Sequence, residues 1–303
     1  MSTQGDDPLV SVVIPTYYRN DVLGETIESV LDQTYDPVEA IVVDDSGEAN
    51  AAPVVEQWPE VQYVPLDENR GANPARTVGA EHAAGAYVHF LDDDDLIDES
   101  KLAKQMPVIT RNDDIGVVYT GVREGTQVHL SQPDKRGDVL RQALGLEMWP
   151  CMTSTMLIDR ALVDELLPFH DRAAAMDLEI MIQLAQRTKF DYVNEPLTYK
   201  RVSAGSVGRS LEAIECRKQL LEEYADLYAS QPDWVRRRAL ANTYETEGSI
   251  ILQSDWWSVD AVVSLAKHLY YEPREKPKAA VKFGAALLGR PGWRLADRVG
   301  SYL

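Results

Sequence analysis

An apolar run followed by four acids occurs at Ala86-Tyr-Val-His-Phe-Leu-Asp-Asp-Asp-Asp95. The apolar part has the composition of a buried strand, so the acids begin where that strand leaves its sheet. Adjacent carboxylates about 4–5 Å apart repel by roughly 3–4 kcal/mol at an effective dielectric near 20, so the cluster favours a bound cation. Asp92 and Asp94 share one face of an extended chain and suit Mg²⁺ or Mn²⁺. A solvated acidic turn or a helix N-terminus is the plain alternative.

Strands and helices alternate on both sides of this run. Apolar stretches at 9–14, 40–43 and 61–64 predict further strands, and helices are expected to be capped by Asn20 and Asn73. Repeated βα units of this kind predict an α/β fold with a doubly wound, mainly parallel sheet.

Polar residues follow three of these strands at Thr16, Asp45 and the acids 92–94. Carboxyl ends of parallel strands meet at one edge of the sheet, where ligands of open α/β sheets bind. Arg76 falls in the first turn of its predicted helix, where the helix dipole disfavours a cation. We therefore expect an anion beside Arg76, unless its side chain is simply exposed.

The pattern is less regular after residue 120. It predicts strands at 117–120 and 153–158, helices at 161–167 and 177–187, and loops with a short helix over 121–150. The stretch 202–210 is rich in Gly and Ser and predicts a boundary, and the chain beyond it looks helical. We therefore expect an α/β domain at 1–205 and a helical region at 206–303.

Composition limits the partners. The net charge of -19 and the pI near 4.6 argue against nucleic acid, and the arginine-rich, acidic composition resembles that of proteins from salt-loving organisms. Cys151 and Cys216 lack metal-ligand spacing and are expected to be packing residues. With no evident signal peptide and no long apolar stretch, the chain is expected to be cytoplasmic.

The C-terminal segment differs in charge from the rest. Residues 266–303 carry eight Lys and Arg against three acids, a net of +5, which leaves -24 for residues 1–265. Val281, Ala285 and Leu288 fall on one side of a predicted helix, and Trp293 stands among basic residues. The segment 275–303 therefore predicts peripheral contact with an anionic membrane, or else a basic helix docked on the acidic body.

Several motifs follow one another in a distinctive order and spacing. These are Val10-Ser-Val-Val-Ile-Pro-Thr-Tyr-Tyr-Arg-Asn20, Ile27-Glu-Ser-Val-Leu-Asp-Gln-Thr-Tyr35, Ile41-Val-Val-Asp-Asp-Ser46, Asn69-Arg-Gly71, Ala75-Arg76, Phe90-Leu-Asp-Asp-Asp-Asp95 and Asp177-Leu-Glu-Ile-Met-Ile-Gln-Leu-Ala185. Through this order rather than through any one motif, the chain resembles the family 2 glycosyltransferases, which have the GT-A fold, over residues 9–205.

The resemblance implies a role for each matching position. Asp177 matches the catalytic base, while Met176 departs from the family's glutamate at the preceding position. Asp92 and Asp94 match the ligands of Mn²⁺ or Mg²⁺. The positions that match nucleotide-binding residues are Pro15, Thr16, Tyr18, Asp45, Arg76 and Asp93.

The implied activity is inverting transfer of a sugar from a nucleotide-diphosphate donor to an acceptor hydroxyl. The acceptor is expected to be a lipid-linked or other growing glycan, with archaeal protein glycosylation as the pathway, on the cytoplasmic face of a membrane. Two rival hypotheses are a non-catalytic nucleotide-sugar or glycan binder and a metal-dependent phosphohydrolase that uses the acids 92–95. The phosphohydrolase leaves Thr16 and Asp45 without a role.

Overall fold

The computed structural model describes residues 7–201 and 210–300, with side chains of the last helix described to residue 294. The strands are β1 (Val10–Thr16), β2 (Val38–Asp44), β3 (Gln62–Pro65), β4 (Tyr87–Phe90), β5 (Leu96–Ile97), β6 (Ile115–Glu124), β7 (Gln127–His129), β8 (Leu157–Asp159) and β9 (Lys189–Lys200). Contacts divide the chain into two units, described separately below, and the second includes residues 141–147 and 173–175 beside residues 204–303.

The helices of the first unit are α1 (Asn20–Leu31), α2 (Ala52–Val55), α3 (Ala72–His82), α4 (Lys101–Ile109), α5 (Leu140–Leu144, most of which belongs to the second unit), α6 (Arg160–Leu166) and α7 (Met176–Ala185). Those of the second unit are α8 (Leu211–Glu223), α9 (Ala225–Ala229), α10 (Asp233–Ser254), α11 (Val259–Tyr271), α12 (Lys276–Leu287) and α13 (Gly289–Gly300).

One sheet organises the first unit, in the order β3-β2-β1-β4-β8-β6-β9-β5, with β7 paired to β6. The pairs among β1 to β4 are parallel, as expected, and β6 pairs with β9 in parallel. β8 lies antiparallel between β4 and β6, so the second half of the sheet is mixed. The α/β prediction is confirmed. The ends of β1, β2 and β4 meet at one edge, which brings the polar residues after them together.

Burial on both faces explains the apolar runs of the central strands. All seven residues of β1 are buried, and α1 packs Leu23, Ile27 and Val30 into the core. A Cβ at Gly79 would lie 2.2 Å from Val13 Cγ1, so only glycine lets α3 approach β1 this closely. This contact fixes the position of α3 and therefore of Arg76, its fifth residue.

Several predictions of local structure are wrong. Neither predicted cap is one: α3 begins after Gly71, and Asn73 instead donates to the His170 carbonyl, while α1 follows Arg19. The predicted strand 153–158 is a 3₁₀ turn followed by β8, because Thr155 bonds back to Met152.

The predicted loop 121–150 contains the β6–β7 hairpin, and β9 has no counterpart among the predicted strands. The prediction of a boundary at 202–210 falls almost entirely outside the described residues. Cys151 and Cys216 are both buried free thiols.

The second unit has a core of its own. Leu252 of α10, Ala261 and Leu265 of α11, Ala286 of α12 and Trp293 of α13 form one buried cluster. Because Trp293 is only 8% exposed, it is not free to lie on a membrane as the predicted tail required. No helix among the described residues has both the length and the apolar character of a membrane span.

Candidate active site

The end of β1 is linked to the acidic run by a hydrogen bond. The Thr16 hydroxyl donates to Asp93 Oδ2 at 2.7 Å, and the Tyr17 backbone N–H approaches the same oxygen at 3.4 Å. Burial raises the pKa of Asp93 to about 6, although the bond from Thr16 opposes this shift. Pro15 and Thr16 are both buried. The structure therefore brings Pro15, Thr16 and Asp93 to one point at the sheet edge.

Two exposed tyrosines follow β1 in a strained loop. Tyr18 has a φ of 52°, a conformation that costs energy for an aromatic residue, and its side chain is 46% exposed. The rings of Tyr17 and Tyr18 meet edge to face at 4.7 Å. Strained backbone concentrates at binding sites, so this loop is consistent with a role for Tyr18 in contacting a ligand.

Asp45, predicted to bind the nucleotide, is 4% exposed and is held by backbone groups. Its Oδ1 accepts from the Arg70 N–H at 2.7 Å and its Oδ2 from the Gly71 N–H at 2.8 Å. Burial raises its pKa despite these bonds. Asp45 thus fixes the loop that starts α3, while each oxygen retains a further lone pair for a ligand.

Arg76 has the anionic neighbour that was predicted for it, although its predicted place in the first turn is wrong, because α3 begins at Ala72 and Arg76 is its fifth residue. Its Nη2 donates to Asp92 Oδ1 at 2.6 Å, and the side chain is only 6% exposed. Its Nε has no hydrogen-bond partner in the described structure. A second arginine, which the sequence did not single out, pairs with Asp94: Arg19 Nη1 lies 3.2 Å from Asp94 Oδ2, in a more exposed position.

Asp95 is the most buried acid of the run, with no exposed surface. Neither of its carboxylate oxygens has a hydrogen-bond partner among the described residues. Burial and the charge of Asp92 raise its pKa to about 7, while the Lys200 ammonium and the Ser154 hydroxyl oppose this shift. The negative charge of Asp95 is therefore balanced mainly by the nearby charge of Lys200 and not by direct hydrogen bonds.

Lys200, the last residue of β9, is the cation among these acids. Burial of the side chain lowers its pKa, but the surrounding carboxylates outweigh burial and raise the pKa above its ordinary value; they belong to Asp95, Asp92, Asp94 and Asp177. Sequence reasoning missed Lys200 because it missed β9, whose alternation is interrupted at residues 194–196. A polar residue at the end of a strand was the available signal.

Asp177 lies in the first turn of α7, and its Oδ1 accepts from the Leu178 N–H at 2.9 Å. Its charge, like those of the acids after β4, contributes to the raised pKa of Lys200. Glu179, 3% exposed, holds the start of α7 by accepting from Arg172 Nε at 3.0 Å and pairing with His170 Nδ1 at 2.7 Å. The predicted base is thus on a helix whose orientation is fixed.

Met176 occupies the position where the resemblance implies a glutamate. Its sulfur lies 3.8 Å from Arg76 Nη1. A thioether is a weak acceptor, and the same Nη1 also donates to Asn73 Oδ1 at 3.3 Å, while Nη2 pairs with Asp92.

The predicted metal ligands fit a cation that arrives with a phosphate. Asp92 and Asp94 supply hard oxygen donors, and one oxygen of each is engaged by an arginine. Within residues 7–201 and 210–300, no three His, Cys, Asp or Glu side chains form a group that could hold a metal. Mg²⁺ is commonly held by one or two carboxylates together with substrate phosphates, and this donor set matches that mode.

Comparison with known proteins agrees with this architecture. The sequence profile of "Glycosyl transferase family 2" matches residues 11–167, just over half of the chain. The mannosyltransferase PcManGT from Pyrobaculum calidifontis, solved in complex with GDP-Man and Mn²⁺, superposes with a TM-score of 0.60 over 96% of this chain and 83% of its own, at 19% identity. The predicted GT-A fold is confirmed.

Two curated relatives match shorter parts. A glycosyltransferase of Bacillus subtilis (strain 168) named for teichuronic acid biosynthesis, TuaG, is 41% identical over 33% of this chain and 41% of its own length. A glucosyl-dolichyl phosphate glucuronosyltransferase of Haloferax volcanii is 43% identical over 28% of this chain and 29% of its own length. The chain thus spans less than half the length of these two relatives.

Proposed function

Because the chain belongs to glycosyl transferase family 2, we propose that it is a metal-dependent, inverting glycosyltransferase. The donor is a nucleotide-diphosphate sugar, and the acceptor is a hydroxyl of a lipid-linked or other growing glycan. The observation that carries this proposal is the acid cluster at the carboxyl edge of the sheet, where Asp92 pairs with Arg76 and Asp94 with Arg19. The charges of Asp92, Asp94 and Asp177 also raise the pKa of Lys200. Thr16, Asp45 and Arg76 line the same edge.

The residues of the site have separate proposed roles in binding the metal and the nucleotide. Asp92 and Asp94 would hold Mn²⁺ or Mg²⁺, which when bound neutralises charge on the leaving nucleoside diphosphate. Arg76, with a free Nε, offers a further positive charge beside Asp92. Pro15, Thr16, Tyr18, Asp45 and Asp93 shape the end of the sheet that receives the nucleotide.

Asp177 takes the proton of the acceptor hydroxyl as the oxygen attacks the anomeric carbon. The bond from that carbon to the diphosphate breaks as the new bond forms, and a single displacement inverts the centre. This route requires no carboxylate nucleophile.

A lipid-linked acceptor is the finer part of the proposal. Its support is the likeness to the Haloferax volcanii protein, whose name describes a dolichyl-phosphate-linked substrate, together with the acidic composition. Such an acceptor would place the reaction at the cytoplasmic face of a membrane, within archaeal protein glycosylation.

Transfer assays with a panel of UDP- and GDP-sugars and Mn²⁺ test the function. The wild type should transfer a sugar with inversion, and Asp177→Asn should lose transfer while it retains donor binding. Asp113→Asn, at an exposed loop acid, is the matched control and should leave transfer unchanged. Binding without transfer in the wild type would favour the non-catalytic binder, and phosphate release without a sugar acceptor the phosphohydrolase. Unchanged turnover in Asp177→Asn would remove Asp177 from the role of base.

A further inference from the structure

Two turns of the second unit bring four large apolar side chains to its surface. The α10–α11 turn carries Trp256 and Trp257, which are 69% and 52% exposed. The end of α12 carries Leu287, and the residue that follows it is Leu288; these are 52% and 72% exposed. The turns touch: Trp257 Nε1 donates to the Leu287 carbonyl at 3.3 Å. We call these four residues the tryptophan patch.

The local sequence holds the two turns together. Gly289 has a φ of +68°, and a Cβ there would lie 2.4 Å from the Trp256 carbonyl oxygen, so glycine is required at this contact. The Arg290 N–H donates to the same carbonyl at 2.8 Å. The Arg290 guanidinium bonds the Leu252 and Ser254 carbonyls at the end of α10. These contacts hold the tryptophan patch in one conformation at the ends of the helices.

Packing of the unit's own core does not use these side chains. Trp293, from the same segment, is buried with Leu252 and Leu265, whereas the tryptophan patch remains outside. Contiguous exposed apolar side chains commonly mark a surface that binds a membrane or another protein. Four side chains are far fewer than the roughly 20–30 residues that each partner of a stable protein complex contributes.

The charge of the neighbouring segment indicates what kind of surface the patch binds. From Lys276 to Arg294 the chain has five cations and no acid, in a protein with a net charge of -19, while Lys278 pairs with Glu275 and Lys282 with Glu245. The five are Lys276, Lys278, Lys282, Arg290 and Arg294. Tryptophan favours the headgroup region of a bilayer, and basic residues favour anionic lipids. Two exposed acids, Asp255 and Asp260, flank the tryptophans and oppose the attraction to anionic lipid. Insertion of the apolar side chains is therefore expected to supply the larger share of the binding free energy.

We propose that the tryptophan patch is a shallow membrane-insertion surface for anionic bilayers, with α12 and α13 supplying the positive charge. This replaces Trp293 by Trp256 and Trp257 as the residues that enter the interface. The proposal does not depend on sugar transfer, and its readout requires no activity.

Vesicle co-sedimentation of the full chain tests it. Wild type should bind vesicles of phosphatidylcholine with phosphatidylglycerol more tightly than phosphatidylcholine alone, and raised salt should weaken this binding without abolishing it. Trp256→Ser combined with Trp257→Ser should weaken binding about tenfold or more. Tyr270→Ser, at an aromatic residue that is also 69% exposed, is the matched control and should bind as wild type does.

Three outcomes would overturn the proposal. They are absence of wild-type binding to either vesicle, equal binding by the double variant, and self-association in solution that the double variant abolishes. The last would assign the patch to a second copy of the chain. Circular dichroism and donor binding of the double variant should match the wild type, which separates loss of membrane contact from misfolding and from failure of the proposed activity.

Discussion

Arg76 Nη2 and Asp92 Oδ1 lie 2.6 Å apart, and this ion pair joins the N-terminal half of α3 to the acidic run after β4. The pair resolves two unfavourable placements at once. A buried arginine gains an anion, and one of four adjacent acids gains a cation. The contact that stabilises this site thus also holds Arg76 where a ligand phosphate could meet it.

Arg76→Met should cost about 3 kcal/mol or somewhat less in free energy of unfolding, because it leaves the Asp92 carboxylate, 30% exposed, without its partner. Arg19→Met, at the more exposed pair with Asp94, should cost less than about 1 kcal/mol. Urea unfolding in the presence of a chelator measures both. Equal costs would contradict the role of burial, and Asp92→Asn added to Arg76→Met should recover part of the loss.

Asp95→Asn should stabilise the protein at high pH and not at low pH. The folded state holds the Asp95 proton up to about pH 7, whereas the unfolded chain releases it near 3.8, so the wild type loses stability as pH rises through this window. The full shift corresponds to at most about 4 kcal/mol. Melting temperatures of both proteins, measured without metal from acid to mildly basic pH, should diverge as pH rises. Parallel curves would show that Asp95 ionises normally.

Lys200→Met should destabilise the site, because it removes the cation on which four carboxylates act. A folded pKa above the ordinary value means that the stabilisation by Lys200 is complete at neutral pH and is lost only at high pH. The variant should therefore unfold more easily at neutral pH and recover in acid, where the carboxylates are protonated. Lys200→Arg keeps the charge and should stay close to the wild type in denaturant titrations. A deficit that persists in acid would instead indicate lost packing.

Met176→Glu should provide Arg76 with a second carboxylate where the thioether now lies 3.8 Å from Nη1. We expect a gain of up to about 1 kcal/mol in unfolding free energy relative to Met176→Gln, the uncharged control. The difference should disappear when the glutamate is protonated. If both variants have the same stability at neutral pH, the side chain at 176 does not reach Arg76.

The local sequence determined the parallel half of the sheet and the place of the site. The runs that became β1, β2 and β4 are buried on both faces, so their apolar composition is sufficient to identify them. Thr16, Asp45 and the acids after β4 follow these strands directly. Chain connectivity therefore brings them to one edge without any information about distant contacts.

Tertiary structure alone decided the partners within the site. Lys200 reaches the acids because β9 pairs with β6 in parallel and with β5, and such pairings between distant segments leave no local pattern. The failed cap at Asn73 has the same origin, since its amide serves His170, 97 residues away. Likewise Trp293 was buried and Trp256 exposed by the packing of helices that a single helix's periodicity does not encode. Sequence determines which surfaces must be buried or charged, and the folded chain determines which of them meet.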